Sequence, residues 1–375
     1  MSSYSANRKV RGNPFLLIPP DMDISPIRLV WTDIHPCASG ALDELYPNYL
    51  NLRDIFLHIV LVVFQVILLL SLAVFLCTFW VFPVIIPVAF MVFSWGITWA
   101  ILRVLNGPPR TQCRVGVPEN NIAAVNDETE LWFFINGICT GENWLQSNLT
   151  LLANVFRREI VGIHNPTKGL IMDLLECLVQ RDLDYKTQDI RQGRAQLRSA
   201  LRSPTTNKVV LIAHSQGGIE AASIIDWLYG ELTNDELLKL EVYTFGNAAR
   251  HFRNPPVRSG SDETVLQYIE HYANDGDFVA NIGVLKFTSL AARYTATNEF
   301  SGKVFRRQGS GHLLNMHYLD TMLCGGGQGG FMDAKVPVHE QGSSDGIALK
   351  PMKDLSRLFK YKDGRRPEEG GCCED

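Results

Sequence analysis

From Ile55 to Leu102 the chain carries no Asp, Glu, Lys or Arg, and no other feature limits its folding as strongly. The run is more than twice the ~20 residues that one helix needs to cross a bilayer core. Pro83 and Pro87 stand near its middle. They remove N–H donors and clash with the preceding turn, so they interrupt a single helix. The pattern predicts a hairpin of two apolar helices, roughly 56–80 and 86–105, with the prolines at the bend. Soluble cores rarely offer such a stretch without a charge. A long segment precedes the run and no basic region opens the chain, so a signal peptide is not expected.

Both ends of a hairpin face the same side. Arg53 flanks one end and Arg103, Arg110 and Arg114 the other, while the bend is uncharged. The excess of basic residues on the cytoplasmic side of membrane proteins then puts both flanks, and everything after them, in the cytosol. A transmembrane and an intramembrane hairpin fit this pattern equally. Asn148-Leu149-Thr150 is a glycosylation sequon, and on the cytosolic side it stays unmodified.

The remaining chain has the composition of a folded protein, with 46% apolar and 20% charged residues over the whole 375. The net charge of −4 shows no basic excess for a nucleic-acid partner. The eight cysteines are scattered, with no CxxC pair and no metal-ligand spacing, which reads as free thiols in a reducing compartment. No cofactor or metal is expected. Residues 1–54 hold several prolines and little periodicity and read as an irregular arm, the hairpin occupies 55–105, and Asn106-Gly-Pro-Pro-Arg110 marks a linker. A folded domain is expected over 120–328, with short apolar strands alternating with amphipathic helices. Strands are predicted at Glu130–Ile135, Glu159–Ile163, Lys208–Ala213, Leu240–Phe245 and Val265–Ala273. Helices are predicted at Asn143–Arg158, Gly169–Gln180, Thr187–Leu201 and Gly218–Tyr229. The alternation implies parallel βαβ units and an α/β fold, a mostly parallel sheet flanked by helices. Residues 329–375, rich in Gly and charge, lack apolar periodicity and read as disordered.

Lys208-Val-Val-Leu-Ile-Ala-His-Ser-Gln-Gly-Gly218 reads as a buried strand, a tight turn and a helix start. That context lets a serine sit on a strained turn with its hydroxyl projecting above a sheet. The residues two before and two after Ser215 must be small because they approach each other closely, and here they are Ala213 and Gly217. A serine hydroxyl needs a histidine base, which a carboxylate orients. Asn274-Asp275-Gly276-Asp277-Phe278-Val279 follows a strand and offers two aspartates. Farther on, His312 sits at a loop-to-helix junction from which it can reach back, while His317 lies inside the helix and reads as a local contact. His214, adjacent to the serine, points away at such a turn and is not the base. The oxyanion formed on attack needs preorganised N–H donors. Gln216, just after the serine, supplies one, and the turn Asn136-Gly137-Ile138-Cys139 supplies another from Ile138.

Over about 128–325 these residues resemble the α/β-hydrolase superfamily, and within it the class 3 lipases. Ala213-His-Ser-Gln-Gly-Gly218, Tyr243-Thr-Phe-Gly-Asn-Ala248, Asp277-Phe-Val279 and His312-Leu-Leu-Asn315 carry the likeness. The resemblance implies that the acid precedes a hydrophobic pair, which favours Asp277 over Asp275. It also implies a serine hydrolase cleaving an ester, a thioester or, less often, an amide through an acyl-enzyme on a Ser215–His312–Asp277 triad. The hairpin, by anchoring that site at the bilayer surface, favours a lipid or acyl substrate. The family pattern prefers Gly at 213 and Pro near 248, and this chain departs from it at both. Lys286–Phe300 and the helices near 165–200 are candidate covers for the site. A catalytically inert hydrolase fold serving as a membrane scaffold, or an acyltransferase using the same residues, are the alternatives.

Overall fold

A computed structural model describes residues 40–78, 83–108, 113–115, 127–258, 263–289, 300–324, 331–339 and 347–367. Most of the irregular arm, residues 79–82 just before Pro83, part of the linker and part of Lys286–Phe300 lie outside them. Two apolar helices come first, α1 (Tyr49–Thr78) and α2 (Ile85–Asn106). Each is long and apolar enough to cross a membrane. Helix α1 starts well inside the expected arm, because Asn48 caps it by accepting from the Asn51 N–H at 2.8 Å.

The sheet contains β1 (Cys113–Val115), β2 (Glu130–Ile135), β3 (Ile160–Ile163), β4 (Lys208–His214), β5 (Leu240–Phe245), β6 (Tyr268–Gly276) and β7 (Lys303–Ser310). Its order is β1-β3-β2-β4-β5-β6-β7. All neighbours run parallel except β1, which joins β3 antiparallel at the edge. This is the α/β-hydrolase arrangement. The strands read as continuous apolar runs because both of their faces are buried. Trp132, Phe134, Val210, Ile212 and Tyr243 point to one face, and Phe133, Ile135, Val209, Leu211 and Val242 to the other. On the first face lie α3 (Glu142–Phe156) and the π-helical α10 (Leu314–Cys324). On the second lie α5 (Gln188–Arg202) and α6 (Gln216–Tyr229). Helix α4 (Leu170–Leu183) and the short α7 (Asn234–Leu237), α8 (Phe278–Ile282) and α9 (Val284–Thr288) complete the domain.

Two expectations are corrected. Strand β6 begins three residues late and extends through Asn274-Asp275-Gly276, so Asp275 belongs to the strand rather than to the turn beyond it. The described part of 329–375 is folded. It forms a hairpin of β8 (Lys335–His339) and β9 (Ile347–Pro351), then α11 (Met352–Leu355) and α12 (Arg357–Lys360). Phe331, Met332, Val336, Met352, Leu358 and Tyr361 of this segment are buried in the core of the first face. The segment also answers two buried acids in the strands, Glu241 and Glu270. Arg357 Nε and the Tyr361 hydroxyl donate to Glu241 at 2.9 Å each. The backbone N–H groups of Arg357 and Leu358 donate to Glu270 at 2.8 and 3.2 Å.

The apolar helices are seated on the domain at the carboxyl ends of β2 and β3. Asn51 Oδ1 accepts from Asn143 Nδ2 at 2.9 Å and Trp144 Nε1 at 3.1 Å. Gln65 Nε2 donates to the Lys168 carbonyl at 2.7 Å. Asn106 and Thr167 exchange two bonds, of 2.8 and 3.0 Å. Gly141 is needed here, because a Cβ on it would lie 2.5 Å from the Leu105 carbonyl oxygen. Just before α1, buried Glu44 accepts the N–H groups of Asn315 and Met316. The Asn148 side chain is buried as well, so the sequon faces the core.

The Arg357–Glu241 pair is almost wholly shielded from solvent, at 8% and 4% exposure. Removing one partner of such a pair strands the other. Arg357→Ala is expected to lower unfolding stability by about 3 kcal/mol, read as a fall in melting temperature of the full chain in detergent. Burial pushes the Glu44 carboxyl up to about 7, against the pull of the two N–H donors. Its native pKa then exceeds its unfolded value, so the protonated form stabilises the fold. That contribution is present below about pH 4.5 and is lost as pH rises through about 7. Glu44→Gln is expected to flatten the stability profile between those values by roughly 3 kcal/mol, measured by thermal denaturation across the range.

Candidate active site

Ser215 joins β4 to α6 with φ 57° and ψ −120°, a conformation that costs a side-chain-bearing residue on the order of 1–3 kcal/mol. The tight approach that the spacing implies is present on both flanks. A Cβ on Gly217 would stand 2.5 Å from the Ile135 carbonyl oxygen, and one on Gly137 would stand 2.6 Å from Ser215 Cβ. Ala213, within the strand, packs wholly buried on the second face, so its methyl is accommodated. The departure from Gly at this position is therefore harmless.

His312 Nε2 lies 2.8 Å from Ser215 Oγ, and His312 Nδ1 lies 2.8 Å from Asp277 Oδ2. Asp277 is inaccessible to solvent. Its Oδ1 caps α8 by accepting from Val279 and Ala280 N–H at 2.8 and 3.3 Å, and Oδ2 also accepts the Tyr318 hydroxyl at 2.5 Å. Burial works against its charged form. His312 opposes burial through charge and hydrogen bond, Tyr318 and Ala280 add to it, and together they hold the carboxyl below its ordinary range. Gly246, at φ 52°, clears the space beside this pair, since a Cβ there would meet Asp277 Oδ2 at 2.8 Å and His312 at 3.0 Å.

Asp275 and His317 are placed elsewhere. Asp275 pairs with Arg306, and its carbonyl accepts from Asn281 Nδ2 at 2.6 Å. His317 Nδ1 accepts the N–H of Leu313, just before its own helix, at 3.0 Å. His214 turns away from Ser215, and its Nε2 donates to the His312 carbonyl at 2.7 Å while the two rings lie 4.8 Å apart. Burial, followed by the neighbouring His312, lowers its pKa to about 3, so its ring is neutral at ordinary pH. It supports His312 from behind.

Gln216 is the first residue of α6, so its N–H has no acceptor within the helix. Across from it the turn 136–139 is held by a ring of amides. Asn136 Nδ2 donates to the Asn165 carbonyl at 2.8 Å, Asn165 N–H returns a bond to Asn136 Oδ1 at 2.9 Å, and Asn165 Nδ2 donates to Gln216 Oε1 at 2.7 Å. The Cys139 N–H donates to Asp173 Oδ2 at 2.9 Å and is thereby removed as an oxyanion donor, whereas Ile138 precedes it in the same turn. Burial pushes the Cys139 thiol up, so it is no nucleophile at neutral pH. Tyr318, Asn165 and Asp173 were not legible beforehand, because each acts through a neighbour distant in sequence. Among the described residues no cluster of three His, Cys, Asp or Glu side chains suits a metal ion.

No protein-family model matches the chain, and no curated protein matches it. Among solved structures it is similar to a Trichoderma reesei cutinase in complex with a C11Y4 phosphonate inhibitor. The identity is 20%, the match covers 42% of this chain and 69% of that one, and the TM-score is 0.26. Chemically, the arrangement can move a proton from a hydroxyl to an imidazole that a buried carboxylate orients.

Gly246→Ala is expected to displace the Asp277–His312 pair. It should slow covalent labelling of the chain by a fluorophosphonate by about 10²-fold, while the melting temperature changes only modestly.

Proposed function

We propose that the chain is a membrane-anchored serine hydrolase that cleaves an ester or thioester of a lipid or acyl substrate through an acyl-enzyme. The hydrogen-bonded series Asp277–His312–Ser215, with both links at 2.8 Å and the serine on a strained turn, carries this reading. Ser215 Oγ attacks the carbonyl carbon while His312 Nε2 takes its proton. Asp277 holds the imidazole in the tautomer with a proton on Nδ1 and stabilises the imidazolium that forms. The Gln216 and Ile138 N–H groups meet the oxyanion. His312 then protonates the leaving alcohol or thiol, and water activated by the same residue releases the acid. The pair of apolar helices supports the anchor, and its basic flanks support a cytosolic domain. An anchored site favours substrates held in the bilayer over freely diffusing ones.

Ser215→Ala should abolish fluorophosphonate labelling and lower ester turnover by at least about 10⁴-fold. His312→Ala should act likewise, and His317→Ala should leave labelling within a few-fold of the wild type. Wild-type protein that is inert to the probe, under conditions where control hydrolases are labelled, would return the chain to the scaffold reading. Lipid profiling of membranes incubated with wild type or Ser215→Ala identifies the substrate, and adding an acceptor alcohol separates hydrolysis from acyl transfer.

A further inference from the structure

Helix α4 is amphipathic with its polar side turned inward. Asp173 and Gln180, two turns apart, share one face. Asp173 accepts from the Cys139 N–H at 2.9 Å and the Thr167 hydroxyl at 2.7 Å, and Gln180 Oε1 accepts from Gln216 Nε2 at 2.9 Å. At its far end Arg181 donates to the Ile282 carbonyl at 2.6 Å. The helix is thus fixed between the 138–139 turn, the residue after Ser215, and the end of α8, which Asp277 caps.

The opposite face is a row of leucines open to solvent. Leu170, Leu174, Leu175, Leu178 and Leu183 are all exposed, at 48% for Leu174, 53% for Leu178 and 73% for Leu183. Only Asp182, one turn after Leu178 and half exposed beside Arg250, breaks the row, and an exposed apolar face of this kind marks a surface that meets something apolar. Its position in the fold says what. Helix α4 begins beside Gln65 of α1: Gln65 donates to the Lys168 carbonyl at 2.7 Å, and a Cβ on Gly169 would sit 2.6 Å from its amide. Beyond Gln65, the rest of α1 to Thr78 rises only about 20 Å, short of the ~30 Å hydrocarbon core. Where this helix crosses the whole core, the bilayer therefore reaches the level of Gln65, where α4 starts. The docked half of α1 also shows an apolar side to the outside, with Phe56, Ile59 and Val63 exposed.

We infer that the leucine face of α4 lies in the boundary between headgroups and acyl chains of the same bilayer that holds the hairpin. The inference rests on the membrane-anchor reading and deepens it. The element next to the Ser215 turn becomes a lipid contact, and it is a fixed one, because its inner face is hydrogen-bonded at three places.

The test places a fluorescent amino acid at position 178, at position 70 in the free part of α1, or at exposed position 195 on α5, one at a time in the full chain. Each protein is reconstituted into phosphatidylcholine vesicles with or without bromine on the acyl chains. Quenching by the brominated lipid at 178 and at 70, with none at 195, is the expected result. Quenching at 70 with 178 no more affected than 195 would overturn the α4 contact and leave the anchor intact. Absence of quenching at 70 and 178 together would sink both.

Discussion

The carboxylate of Asp277 is the point on which the carboxyl end of the sheet depends. A buried charge costs far more than an exposed one unless its lone pairs are met. Here donors come from three separate elements, namely His312 after β7, Tyr318 on α10 and the first N–H groups of α8. The acid therefore orients an imidazole, starts a helix and anchors another helix at once. His312 is further restrained from behind by neutral His214, so its two ring nitrogens face Asp277 and Ser215. The strained Ser215 turn adds the remaining element, and the glycines at 137 and 217 let two backbones close on it.

Much of this was legible because the signals are local. The run of β4, the small residue after Ser215 and the Asn-Gly turn after β2 each describe their own few residues, and buried parallel strands announce themselves as apolar runs. The family likeness, rather than spacing, favoured Asp277 over its neighbour; the structure puts Asp277 beside His312 and Asp275 against Arg306. What was not legible depends on partners far along the chain. The short edge strand β1 has only three residues and no pattern of its own. The C-terminal segment looked disordered because it holds few apolar groups, yet Glu241 and Glu270 in β5 and β6 supply polar anchors for it. An acid such as Glu241 inside the apolar run of β5 was a sign that something must answer it.

The seating of the apolar helices sets the orientation of the domain. Asn51, Gln65 and Asn106 fasten them to loops at the carboxyl ends of β2 and β3, the same edge of the sheet on which Ser215 projects. Polar residues in helices of this kind are expensive in lipid. Asn51 and Gln65 meet protein partners instead, which makes the joint rigid. The serine consequently has a fixed height and tilt relative to the hairpin, unlike a domain on a flexible tether.

The C-terminal clasp also bears on the order in which the molecule is made. Beyond the hydroxyls of Tyr243 and Tyr272 in their own strands, Glu241 and Glu270 wait for the donors of Arg357, Leu358 and Tyr361, which are synthesised more than a hundred residues after Glu241. Glu44, near the start, likewise waits for Asn315 and Met316. The apolar helices leave the ribosome long before either contact can form. Synthesis of the apolar pair and completion of the domain are thereby separated in time, and the core of the sheet closes only after both apolar helices have emerged.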